Sequence, residues 1–138
     1  MKRLALSQQK RLYYVISALN EPTLAVDPGE TIIVETEDAW SGQIRKKGDK
    51  RDKTAIPWSN PVSGPIFVKG AEKGDTLVVD IKDIRPIIGQ GGTRIGYMGG
   101  FLGSTFLNKF LGARLPEETK ICPIKDGKVY FSDEIVLP

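Results

Sequence analysis

The groups best placed to do chemistry are concentrated in V-E-T-E-D-A-W-S-G-Q-I, from Val34 to Ile44, where Glu35, Glu37 and Asp38 follow the apolar run Ile32, Ile33, Val34 and lead into Trp40, Ser41 and Gly42. Carboxylates this close repel one another unless water, a cation or hydrogen-bond donors compensate, so the cluster is either solvated or assembled to handle charge. Side chains alternate along an extended chain, which sets Glu37 and Asp38 on opposite sides. Glu35 closes a run of consecutive apolar residues and is expected where a strand covered on both faces opens into a cavity. The plainer alternative is that these acids only cap a strand and solvate a loop.

A second segment, Asn60-Pro61-Val62-Ser63-Gly64-Pro65, sets an amide and a hydroxyl in a loop stiffened by two prolines. Such a loop presents backbone N–H groups and small polar side chains at low entropic cost, which suits an oxyanion or an amide; the simpler reading is a tight corner entering the next strand. The basic stretch Arg45 to Lys53 has the length of a lid and the charge to attract an anion, although a charge run is more often a solvated surface. The glycine-rich stretch Gly89 to Gly100 has no phosphate-loop pattern and reads as a loop. Cys122 has no histidine to activate it and reads as core.

Histidine is absent from the chain, which rules out a Ser-His-Asp triad, a Cys-His pair or a His-ligated zinc built from this polypeptide alone. Any catalysis then falls to carboxylates, Lys, Tyr or Ser, or to groups supplied by another polypeptide. The 138 residues, 40% of them hydrophobic, fit one β-rich domain over residues 1–138. A net charge of +3, mixed along the chain, gives no argument for nucleic acid. A single cysteine fits a reducing compartment, and no apolar run approaches a membrane span, so a cytoplasmic protein is expected.

The elements that must position these groups are short. Leu12 to Ile16, Thr23 to Val26, Thr31 to Thr36, Ile66 to Lys69 and a long Asp75 to Ile84 read as strands, and Lys120 to Ile124 and Lys128 to Phe131 flank an Asp126-Gly127 hairpin turn. Asp27-Pro28-Gly29 forms a tight turn with glycine at the position needing φ > 0. Phe101 to Leu111 is the one plausible helix. Gly29 to Glu35 and Gly74 to Asp80 share one pattern: Gly, acid, Thr, three branched apolar residues, acid. They are either one turn-to-strand device used twice or duplicated strand pairs. This inventory predicts an all-β fold, a sandwich or distorted barrel with at most one short helix.

The ordered blocks V-D-P-G-E-T-I-I-V-E-T-E-D-A-W-S-G-Q-I, N-P-V-S-G-P-I-F-V-K-G-A-E-K-G-D-T-L-V-V-D-I-K-D-I and K-D-G-K-V-Y-F-S-D-E-I resemble the acetamidase/formamidase family, hydrolases of the C–N bond in small linear amides. The resemblance implies an amidase activity and a polar site to which Glu35 and Asp38 contribute as catalytic groups and Asn60, Ser63 and Gly64 as substrate-binding groups. Family members are roughly twice as long, and their C-terminal half carries a histidine-bearing, acidic and glycine-rich part of the catalytic centre. The expectation is therefore the N-terminal portion of a split enzyme, completed by a complementary C-terminal-half polypeptide and assembled as a homo-oligomer. A divalent metal shared with that half is compatible with the carboxylates, which do not by themselves identify one. The alternative is a non-catalytic β-domain for assembly or small-ligand binding.

Overall fold

The computed structural model describes residues 1–95 and 118–138. The expected helix at Phe101 to Leu111, and the glycine-rich segment beyond residue 95, lie outside them. The fold is all-β: among the described residues there is one 3-10 turn, Leu6–Gln8, and no α-helix. Its strands are β1 (Lys2–Leu4), β2 (Leu24–Val26), β3 (Ile32–Val34), β4 (Ile66–Val68), β5 (Gln90–Ile95), β6 (Glu118–Lys125), β7 (Lys128–Tyr130) and β8 (Val136–Leu137). Among the described residues they form small sheets and no closed barrel. No helix among the described residues is long and apolar enough to cross a membrane.

The chain divides into two compact units, Met1–Gly42 with Asp52–Ile81, and Gln43–Arg51 with Lys82–Pro138. In the first, β1 pairs in parallel with β3 (Lys2↔Ile32, Leu4↔Val34), and β2 pairs in parallel with β4 (Leu24↔Ile66, Val26↔Val68). The turn before β3 is the expected one: Glu30 N–H donates to the Asp27 carbonyl at 3.1 Å, and Gly29 takes φ +79°. Apolar burial is concentrated at Leu4 and Val26. Ile33 and Val34 each remain 37% exposed, so β3 is not covered on both faces as its consecutive apolar residues suggested.

Two other expectations for this unit are corrected. Leu12 to Ile16 is no strand; one antiparallel bridge joins Tyr13 and Val62, with Val62 N–H donating to the Tyr13 carbonyl at 2.7 Å. The stretch Asp75 to Ile84, which begins in this unit and runs on past it, belongs to none of the strands despite its composition. Branched side chains favour an extended backbone, but a strand exists only where a neighbour takes its hydrogen bonds.

In the second unit, β5, β6, β7 and β8 form an antiparallel meander. β5 corrects the loop expected at the start of the glycine-rich stretch, because Gly91 and Gly92 lie on the ladder opposite Cys122 and Ile121. The hairpin between β6 and β7 turns as expected, with Asp126 and Gly127 both at positive φ (49° and 72°). Ile44 and Cys122 are buried, in keeping with an unreactive core thiol. The basic stretch is locally ordered: Asp49 accepts the Arg45 and Lys46 N–H groups at 2.8 and 2.9 Å, and buried Thr119 bonds Gly48 N–H and the Asp49 carbonyl. These donors hold the Asp49 carboxyl below its ordinary range, the Arg45 N–H contributing most.

Candidate functional site

All five site residues belong to the first unit, on two loops: residues 35–42 after β3 and residues 60–65 before β4. The loops are stitched together at two points. Asn60 N–H donates to the Ala39 carbonyl at 2.9 Å, and the Ser63 hydroxyl donates to the Glu35 carbonyl at 2.7 Å. The sequence separates these partners by more than twenty positions, and these two hydrogen bonds hold the loops side by side.

Glu35 is fully engaged by its own chain. Its N–H continues the β1–β3 ladder to the Leu4 carbonyl at 3.0 Å, while its carboxylate takes the Arg3 guanidinium on one oxygen and the Leu6 N–H, at 2.9 Å, on the other. The Leu6 N–H and then Arg3 hold this carboxyl below its ordinary range, against the opposing effect of desolvation. A carboxylate so stabilised is a fixed anion and an anchor for the start of the chain. It binds a proton less readily than an ordinary glutamate, which weakens it as a general base.

Asp38 organises the other end of the loop. One of its oxygens accepts the Trp40 and Gly42 N–H groups at 2.7 and 3.3 Å, and its carbonyl accepts Ser41 N–H at 3.0 Å. The turn places Ser41 and Gly42 at φ 54° and 77°, and the Ser41 hydroxyl is 3.0 Å from that of Tyr14. Glu37 accepts the Asp38 N–H at 2.9 Å, so the adjacent acids are tied head to tail.

On the facing loop, Asn60 is exposed and holds a left-handed conformation (φ 58°). Asparagine tolerates that conformation better than most residues. Ser63 and Gly64 are gripped by Gln9, whose amide nitrogen donates to the Ser63 hydroxyl at 3.2 Å and whose amide oxygen accepts Gly64 N–H at 3.0 Å. Gly64 is buried at φ 99°, its carbonyl accepts the Thr23 hydroxyl at 3.0 Å, and an added Cβ would lie 3.1 Å from the Ile66 nitrogen. Only glycine suits that corner.

The structure therefore joins Glu35, through its carbonyl, directly to Ser63, and ties Asn60 to Ala39, the residue next to Asp38. Arg3, Gln9 and Tyr14 complete the arrangement and were not signalled by the sequence, since each acts over a long separation through a common residue type. No group of three or more Cys, Asp or Glu that could hold a metal occurs among the described residues. A cation at Glu35 would compete with the Arg3 guanidinium, so no chemical step is assigned to a metal here.

The model of the Acetamidase/Formamidase family matches residues 11–135. The fold is similar to the crystal structure of a predicted acetamidase/formamidase from Thermoanaerobacter tengcongensis, with a TM-score of 0.79 and 34% identity, covering 99% of this chain and 42% of that one. It is similar also to an acetamidase from Yersinia enterocolitica, with a TM-score of 0.72 and 29% identity over 100% and 43% of the two chains. An acetamidase of Mycolicibacterium smegmatis is 40% identical over 81 residues, which is 56% of this chain and 20% of that protein. The chain thus spans less than half the length of these solved structures, and its match covers a fifth of the curated acetamidase.

Proposed function

Because the chain belongs to the acetamidase/formamidase family, we propose that it is the N-terminal part of an enzyme hydrolysing the C–N bond of small linear amides of the formamide and acetamide type, completed by a second polypeptide. The observation that carries this reading is a family match over residues 11–135 in a chain that spans only 42% of a solved relative.

Hydrolysis requires a water activated by a base, a tetrahedral oxyanion held by donors, and a proton for the departing nitrogen. Asp38 is the proposed base: it takes a proton from water as the oxygen attacks the carbonyl carbon. The Asn60 side-chain amide holds the oxyanion, and collapse of the intermediate breaks the C–N bond as the nitrogen leaves as ammonia. Glu35, Ser63 and Gly64 set the geometry, Glu35 as a fixed anion and the other two through the Gln9 grip. The second polypeptide brings the remaining acid–base groups. A cytoplasmic location and assembly into a homo-oligomer belong to the same proposal, in keeping with a buried free thiol and with two-stranded pairs whose edges seek neighbours.

The test is ammonia release from formamide and acetamide by the purified chain, alone and mixed with the C-terminal portion of a family member. Release that needs both polypeptides, and that falls about 10²- to 10⁴-fold in Asp38→Asn and about 10²-fold in Asn60→Ala, supports the proposal. No release from any combination overturns it and leaves a non-catalytic β-domain.

A further inference from the structure

The repeated pattern in the sequence is also repeated in structure, up to a point. In the first copy, Glu30 N–H donates to the Asp27 carbonyl and Asp27 N–H donates back to the Glu30 carboxylate, both at 3.1 Å. In the second, Asp75 N–H donates to the Glu72 carbonyl at 3.1 Å and Glu72 N–H to the Asp75 carboxylate at 2.8 Å. Gly29 and Gly74 both take positive φ, 79° and 109°. Each copy then runs into three branched apolar residues.

Beyond the turn the copies diverge. The first becomes β3 because β1 lies beside it; Lys2 reaches Glu30 at 2.7 Å, Arg3 reaches Glu35, and Leu4 is buried at 2% exposure. The second has no strand beside it among the described residues, and Leu77, Val78, Val79 and Ile81 are 72, 84, 70 and 68% exposed. Side chains on both sides of an extended segment are exposed together only when it lacks a sheet neighbour and a covering layer. Exposed apolar edges of this kind are sites of strand addition.

We infer that residues 76–81 are the docking strand for the second polypeptide, which adds an extended segment parallel to it, as β1 adds to β3. The inference rests on the split-amidase reading for the identity of that polypeptide. The β1–β3 register supplies its chemistry: a basic residue opposite Leu77 near Asp75 and a large apolar residue opposite Val79, in the places that Lys2 and Leu4 hold against the first copy. Apolar contact supplies the affinity and the charge pair at Asp75 fixes direction and register.

The experiment is hydrogen exchange on the full chain, alone and mixed with the C-terminal portion of the Thermoanaerobacter tengcongensis relative. Mixing is expected to slow exchange of amides 77–81 on the order of 100-fold. Val78→Asp is expected to abolish that protection while leaving exchange at Ile32 to Val34 unchanged, which shows that the first unit stays folded. Three results overturn the inference: protection of 77–81 in the dilute chain alone, protection that grows with this chain's own concentration and needs no partner, or a complex that leaves 77–81 exchanging freely. Ammonia release measured on the same mixture separates the two readings. Protection without release upholds the docking strand and refutes the amidase, and release without protection does the reverse.

Discussion

The segments Gly29 to Glu35 and Gly74 to Asp80 begin alike and end differently. Both start from a reciprocal turn around a positive-φ glycine, both carry three branched apolar residues, and one is a strand while the other is an exposed stretch outside any strand. Local sequence sets the turn and the extended backbone; the strand itself is made by whatever comes to lie beside it. The first copy finds its neighbour in Lys2, Arg3 and Leu4 of the same chain. The second has no strand beside it among the described residues.

The comparison is broken most severely by removing the neighbour. Leu4→Ala is expected to cost about 2–4 kcal/mol in denaturant unfolding, and to raise exchange at Ile32 to Val34 toward that of the second copy. Leu77→Ala, at the exposed site, is expected to change stability by less than about 0.5 kcal/mol. Equal losses at the two positions would show that the second copy is packed after all. Gln9→Ala, which frees the Ser63 hydroxyl and Gly64 N–H, is expected to cost about 1–2 kcal/mol and to loosen the loop facing Glu35, read as faster exchange at Gly64.

Smaller changes sharpen the same contrast. Gly29→Ala strains a turn that leads into a formed strand and is expected to cost about 1 kcal/mol. Gly74→Ala should leave the β1–β3 pair untouched, with unchanged exchange at Ile33. The subtlest effect is in pH. The Glu35 carboxyl is held below its ordinary value of 4.5, so its stabilisation is present above that value and fades as pH falls through the lower folded one. Glu35→Gln should therefore flatten the acid limb of the stability profile, leaving a residual slope from Glu30, lowered chiefly by Lys2, and from Asp49 and Asp52, lowered by backbone N–H donors. Superimposable acid limbs would show that Arg3 and Leu6 give the ionised carboxylate no preference.

Much of this was legible in the residues. The turns at Asp27-Pro28-Gly29 and Asp126-Gly127 were readable because proline and glycine restrict φ wherever they stand, and strands near β2, β3, β4, β6 and β7 followed from short branched runs between turns. The composition misled where pairing decides the outcome. Gln90 to Ile95 looked like a loop yet forms β5, since a glycine backbone joins a ladder as well as any other once β6 lies beside it; Asp75 to Ile84 looked like a long strand and has no strand beside it among the described residues. In the site, the adjacency of the 35–42 and 60–65 loops came through the ordered family blocks. The roles of Arg3 and Gln9 were not readable, because an arginine near a terminus and a lone glutamine carry no local signature for partners 32 and 54 positions away.

The most direct test of the account is the rate of ammonia release from formamide and acetamide by this chain mixed with the C-terminal portion of a family member, set against the sum of the two measured separately. The account predicts turnover in the mixture far above that sum, lost in Asp38→Asn while exchange at Ile32 to Val34 stays as in the parent. A mixture that binds and folds yet releases no ammonia, or an Asp38→Asn mixture as active as the parent, would contradict it.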